Sequence, residues 1–125
     1  MRRLFHGSHT VTITPFTPGG VEIDFEAWEG FLDWQIACGV PGIIILGTTG
    51  EFLTITDAER SAFVKKTVDY VNGRLVVWVG TMNAHTPNAV RYSKEAEDLG
   101  ADGLMIIPPY YYCLLYTSPS PRDRG

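Results

Sequence analysis

Gly42-Ile43-Ile44-Ile45-Leu46-Gly47-Thr48-Thr49-Gly50-Glu51 is the stretch on which the reading of the fold turns. The run of branched apolar residues from Ile43 to Leu46 reads as a strand buried on both faces, the kind found in parallel sheets. The chain then turns through two glycines that bracket two threonines. In parallel α/β folds, ligands sit at the C-terminal ends of the strands. Glycine lets the backbone come close to an anion, and backbone N–H groups with short hydroxyls can converge on it. The segment is therefore a candidate cradle for a carboxylate or a phosphate.

On either side the pattern alternates strand and helix. Residues 9–14 alternate and then meet Pro15, so they read as a first strand. Asp24 is placed to cap a helix with Phe25, Trp28, Leu32 and Ile36 on one face and Gly39 at its end. Thr56-Asp57-Ala58-Glu59 has capping-box spacing and opens a helix through Phe63, Val64, Val68 and Val71, stopped by Asn72-Gly73. Residues 75–79 form a third strand that ends at Gly80-Thr81-Met82-Asn83. Thr86 is expected to cap the next helix, with Pro87 at its first position and Leu99-Gly100 at its end. Residues 103–107 form a fourth strand, closed by Pro108-Pro109.

A weak repeat supports this order. Gly39-Val40-Pro41-Gly42 before the second strand matches Gly100-Ala101-Asp102-Gly103 before the fourth, 61 residues on, or two βα units of about 30 residues each. Unusual chemistry gathers in the turns after strands, while the turns after helices are short and bland. That asymmetry points to a barrel or an open sheet that works at the C-terminal ends of its strands.

Composition narrows the function classes. The 125-residue chain carries 45% hydrophobic and 19% charged residues, a globular balance. A net charge of −4 gives no electrostatic case for nucleic acid or an anionic membrane as partner. No apolar run approaches the roughly 20 residues that span a bilayer, and no secretory signal is evident at the start. Two cysteines, Cys38 and Cys113, form no disulfide framework, which suits a cytoplasmic location. Cys38 is expected to be a small buried apolar residue. His6, His9 and His85 lack metal-ligand spacing, so neither a metal nor a cofactor is expected.

Two motifs in this order, Gly47-Thr48-Thr49-Gly50-Glu51 after the second strand and Pro108-Pro109-Tyr110-Tyr111-Tyr112 after the fourth, resemble the dihydrodipicolinate synthase / N-acetylneuraminate lyase family. Gly7 through Thr14-Pro15-Phe16 and the turn Gly80-Thr81-Met82-Asn83 fit the same pattern, so the resemblance covers residues 4–112. Thr48, in place of the second glycine typical of the neuraminate lyases, favours the synthase side. The resemblance implies an α/β fold, a (β/α)8 TIM barrel, with only the first four strands and three helices in residues 1–112. It also implies a class I aldolase that condenses or cleaves 2-oxo acids through a Schiff base on lysine. The partners would be pyruvate and an aldehyde such as aspartate semialdehyde, on the lysine-synthesis route, in a homodimeric or homotetrameric parent.

By the same resemblance, Thr48 and Thr49 would hold the pyruvate carboxylate, and Thr48 and Tyr111 would act catalytically in a proton relay. Tyr111 would be offered to a neighbouring subunit. The second relay tyrosine and the lysine belong to the fifth and sixth strands, and neither stretch is present. Converging hydroxyl and N–H donors suit a carboxylate because they bring no charge to compete with the reactive lysine. Lys65, Lys66 and Lys94 all fall on helices and read as solvated surface groups, so the fragment alone is expected to be inactive.

Plainer roles compete at the other positions. Glu51 is expected to fix its loop through hydrogen bonds rather than to act as a base. Tyr110 and Tyr112 are expected to pack at the barrel rim. Asn83 either lines the mouth of the site or holds its turn. Residues 113–125 have no period, carry Pro119 and Pro121, and resemble a translated sequencing adapter, so they are expected to be a disordered, non-native tail. The rival readings are a sugar-acid or hydroxy-oxo-acid lyase or dehydratase of the same family, and a small doubly wound module gripping phosphate. Against the second, the loop lacks both Gly-x-Gly-x-x-Gly and P-loop spacing.

Overall fold

The computed structural model describes residues 6–109. Tyr110, Tyr111, Tyr112 and the tail from Cys113 onward lie outside the described residues. The elements run β1 (Thr10–Val11), α1 (Phe25–Ala37), β2 (Gly42–Ile45), α2 (Asp57–Val71), β3 (Val76–Gly80), α3 (Thr86–Asp98) and β4 (Gly103–Met105). The four strands form one sheet in the order β1-β2-β3-β4, every pair parallel.

Sequential order separates the two architectures that the sequence left open. A doubly wound sheet reverses direction at a switch point and carries helices on both faces. Here no reversal occurs, and the helices share one face. Ile43 and Ile45 of β2 and Val77 and Val79 of β3 pack with Trp28 and Leu32 of α1, Phe63 and Val64 of α2 and Ala96 of α3 in a single cluster. This is the layout of half a (β/α)8 barrel. The doubly wound alternative is overturned.

The other sheet face is not covered among the described residues. Register sets Val11, Ile44 and Trp78 side by side on it, and Val11, Ile13 and Met105 are 41%, 52% and 37% exposed. Ile44 is accordingly half-buried rather than closed in on both sides, as its neighbours in sequence suggested.

Local chemistry explains most element ends. The Asp24 carboxylate accepts from the Ala27 N–H at 2.9 Å and caps α1. Thr56 and Glu59 form the reciprocal capping box of α2, and Asn72 ends that helix in the left-handed region. Trp28 is fully enclosed, stacks on Phe31 with ring centroids 5.5 Å apart, and meets Phe63 at 4.8 Å. Its indole N–H donates to the Thr67 hydroxyl at 2.9 Å, so the largest core residue has no orphaned polar group.

Three expectations need correction. Thr86 is the first residue of α3 rather than its cap; His85 takes the cap position without a side-chain hydrogen bond. Asn83 compensates nearby, its side-chain oxygen accepting from the His85 N–H at 2.8 Å. Cys38 is exposed, not buried. It is the C-cap of α1, where the chain leaves the helix through Gly39 on its way to β2. Finally, β2 stops at Ile45, because Leu46 turns into the left-handed region with φ 55°.

Candidate carboxylate-binding loop

The loop after β2 is defined by its ends. Leu46 and Glu51 both have positive φ, 55° and 54°, and between them lie Gly47, Thr48, Thr49 and Gly50. A leucine in this region is strained, and such strain gathers at functional loops where the surroundings over-determine the backbone. The surroundings here are specific. A β-carbon on Gly50 would lie 3.0 Å from the Leu46 nitrogen and 3.2 Å from the Thr12 carbonyl oxygen, so a side chain there would push on both backbones. On the other side, a β-carbon on Gly80, the last residue of β3, would overlap the Leu46 carbonyl. Leu46 is thus wedged between two glycine backbones.

Two side chains fix those glycines. Thr14, just beyond β1 and buried, donates its hydroxyl to the Gly50 carbonyl at 2.8 Å. Arg60, in the first turns of α2, donates both terminal nitrogens to the Gly80 carbonyl, at 3.1 and 2.5 Å. Arg60 is only 6% exposed, and its guanidinium sits 4.4 Å over the Tyr92 ring. Burial pulls its pKa below the usual arginine value, opposed by the nearby Tyr92, Glu95 and Asp57.

Within this frame Thr48 and Thr49 stand together and exposed. The Thr48 carbonyl accepts from the Glu51 N–H at 3.1 Å, which closes the turn. The hydroxyls of Thr48 and Thr49 have no hydrogen-bond partner among the described residues. Glu51 does fix the loop, through its backbone: its carbonyl accepts from the Thr54 N–H and the Thr54 hydroxyl, both at 2.9 Å. Asn83 serves its turn and also borders a cavity of about 120 Å³, together with Phe52, Ile55, Arg60 and Met82.

The lysines stand apart from the loop. Lys65 pairs with Asp69 at 2.9 Å, and Lys66 pairs with Glu29 at 2.8 Å, both on exposed surface. The Glu29 hydrogen bond holds the Lys66 ammonium above the usual lysine range, the opposite of an activated amine. Lys94 is exposed on α3. Arg60 and Thr14, which hold the backbone on either side of the loop, are the contributors that sequence reading did not single out. The signal for Arg60 was present: it falls on the buried stripe Arg60, Phe63, Val64, Thr67, Val71 of α2.

Comparison with known proteins agrees with this geometry. The chain matches the model of the Dihydrodipicolinate synthetase family over residues 4–116. It is 44% identical over 108 residues to the 4-hydroxy-tetrahydrodipicolinate synthase of Clostridium novyi, covering 86% of this chain and 36% of that protein. The crystal structure of dihydrodipicolinate synthase from Aquifex aeolicus superposes with a TM-score of 0.81 at 36% identity, over 86% of this chain and 36% of that one. YagE, a prophage protein of the dihydrodipicolinic acid synthase family from E. coli K12 solved with pyruvate, gives 0.82 at 34% identity, over 88% and 37%. The chain thus spans 36% of the length of the curated relative described above. Sequential parallel strands, a glycine-wedged threonine loop at the end of β2 and a family match along nearly the whole chain agree, and the chain belongs to the dihydrodipicolinate synthetase family.

Proposed function

We propose that the protein to which these residues belong is a pyruvate-dependent lyase, acting as a 4-hydroxy-tetrahydrodipicolinate synthase. The observation that carries this reading is the pair of threonine hydroxyls, without a hydrogen-bond partner among the described residues, on a loop whose backbone is held from both sides. Rigid, uncharged donors bind a carboxylate without paying reorganisation on each turnover. The curated relatives bear that enzyme's name, and YagE, a structural neighbour, was solved with pyruvate bound.

In the proposed reaction a lysine amine adds to the ketone carbon of pyruvate and water leaves, giving an imine. Loss of a methyl proton converts the imine to an enamine, whose carbon bonds to the aldehyde carbon of aspartate semialdehyde. Thr48 and Thr49 orient the carboxylate throughout, and Thr48 relays protons with Tyr111. The lysine lies in the part of the protein beyond this chain, because Lys65, Lys66 and Lys94 are surface groups with no activating environment. A homodimeric or homotetrameric assembly and a cytoplasmic location complete the proposal.

Two measurements on the complete enzyme test it. Borohydride with pyruvate should trap a covalent adduct on a lysine other than Lys65, Lys66 and Lys94; a specific adduct on one of these three overturns the assignment. Thr48→Val removes the hydroxyl and keeps the shape, so kcat should fall more than KM for pyruvate rises. Unchanged turnover would remove Thr48 from the mechanism.

A further inference from the structure

Arg60 is a buried cation whose side chain grips one neutral backbone atom. Its two terminal nitrogens converge on the Gly80 carbonyl, its face lies on Tyr92, and it forms no ion pair among the described residues. Enclosing a guanidinium without a directly bonded counter-ion opposes folding. A hydroxyl would satisfy a single carbonyl with less desolvation, as Thr14 does for Gly50. The planar fork of arginine adds something a hydroxyl lacks: two donors held in one rigid plane converge on the oxygen from two sides and so set the direction of the carbonyl as well as its hydrogen bond.

That direction matters at Gly80. Its α-carbon is the surface against which the Leu46 carbonyl is set, and Leu46 is the strained residue from which the threonine loop departs. Arg60 also begins the second turn of a helix anchored by the Thr56–Glu59 box, so its own backbone is well fixed. Arg60 borders the small cavity lined by Phe52, Ile55, Met82 and Asn83.

We propose that Arg60 is a positioning residue for the carboxylate-binding loop, acting through Gly80 and Leu46 to set the placement of Thr48 and Thr49. The proposal rests on the reading of that loop as a pyruvate carboxylate site. Tilting the Gly80 carbonyl releases the wall behind Leu46 and moves both threonines, while nothing at the aldehyde or the lysine changes directly.

The test is steady-state kinetics of the complete enzyme carrying Arg60→Met, Arg60→Lys and, separately, Thr48→Val. Arg60→Met should raise KM for pyruvate about tenfold while KM for the aldehyde stays within about twofold. Arg60→Lys keeps the charge with a single-point donor and should recover part of that loss, leaving KM for pyruvate about threefold high. A purely structural role would lower the melting temperature and the active fraction without moving KM for pyruvate, and that result overturns the proposal. If the methionine variant does not accumulate as folded enzyme, the lysine variant decides on the same criterion. Thr48→Val separates the two levels: if it too leaves turnover unchanged, the loop reading itself fails. If Thr48→Val impairs turnover and the Arg60 variants leave KM for pyruvate unchanged, only the role of Arg60 fails.

Discussion

The Leu46 carbonyl fills the space that any side chain on Gly80 would need. Leu46 itself sits in the left-handed region, so it cannot relax without moving Gly47 and the threonines that follow. Gly80→Ala should destabilise the fold by about 1–3 kcal/mol through overpacking, measured as a fall in the urea midpoint. An unchanged midpoint would mean that the two strands part freely, and that the loop is not wedged.

Thr67 should behave as a polar keystone of the core. Its hydroxyl accepts from the Trp28 indole at 2.9 Å and donates to the Phe63 carbonyl at 2.7 Å, all of it buried. Thr67→Val is nearly the same shape but leaves the indole N–H unpaired, and should cost about 1–3 kcal/mol. Thr67→Ser keeps the hydroxyl and should cost less than the valine change. Chemical denaturation followed by tryptophan fluorescence compares the two, and the reverse ranking would show that the methyl group matters more than the hydrogen bond.

The start of α2 depends on the Thr56–Glu59 exchange, in which the Thr56 N–H donates to the Glu59 carboxylate at 2.9 Å and the Glu59 N–H donates to the Thr56 hydroxyl at 3.3 Å. Thr56→Ala should cost about 1 kcal/mol. Amide exchange should accelerate in the first turn of the helix and leave its C-terminal half protected. Uniform acceleration along the helix would contradict a local cap.

Asp57 and Tyr92 tie α2 to α3, and their link carries a definite sign with pH. The Tyr92 hydroxyl at 2.6 Å, with Arg91 at 2.7 Å, holds the Asp57 carboxyl below its ordinary value of 3.8. Because the folded state favours the ionised form, this contact stabilises fully above that ordinary value and is lost as pH falls through the depressed one. Tyr92 is shifted the other way, above its ordinary 10.0, first by donating to Asp57 and then by burial. Its contribution is complete below pH 10 and is lost as pH rises through the raised value. Carboxyl NMR should show the Asp57 midpoint moving up toward 3.8 in Tyr92→Phe. No movement would place the cause with Arg91 alone.

Much of the fold was legible because local chemistry and global packing agree in this chain. Asp24 and the Thr56–Glu59 box are where their spacing puts them, and the stripe of Trp28, Leu32, Phe63 and Val64 faces the sheet. Reading failed where a residue type usually means something else. An arginine on a helix normally signals solvent, so Arg60 was noticed only once its stripe position became a buried position. Leucine almost never takes a positive φ, and nothing in the run from Ile43 to Leu46 signals that its last member belongs to the turn. At α3, Thr86-Pro87 fits either the cap or the first turn, and the Asn83 side chain decided between them by bonding to His85. Thr48 and Thr49 drew attention because two hydroxyls stand between glycines directly after an apolar strand, at the end of the sheet where parallel folds bind ligands.

The sheet's helix-free side, with Val11, Ile13, Ile44, Trp78 and Met105 along it, has a meaning for biogenesis. A nascent chain that has emerged only as far as β4 presents an oily wall, flanked by the outer edges of β1 and β4, which pair with no further strand among the described residues. Such a surface recruits a holding chaperone or an errant neighbour until later units arrive to cover it. The same geometry that leaves the interior of a barrel to be filled makes the interval before its closure the hazardous part of synthesis.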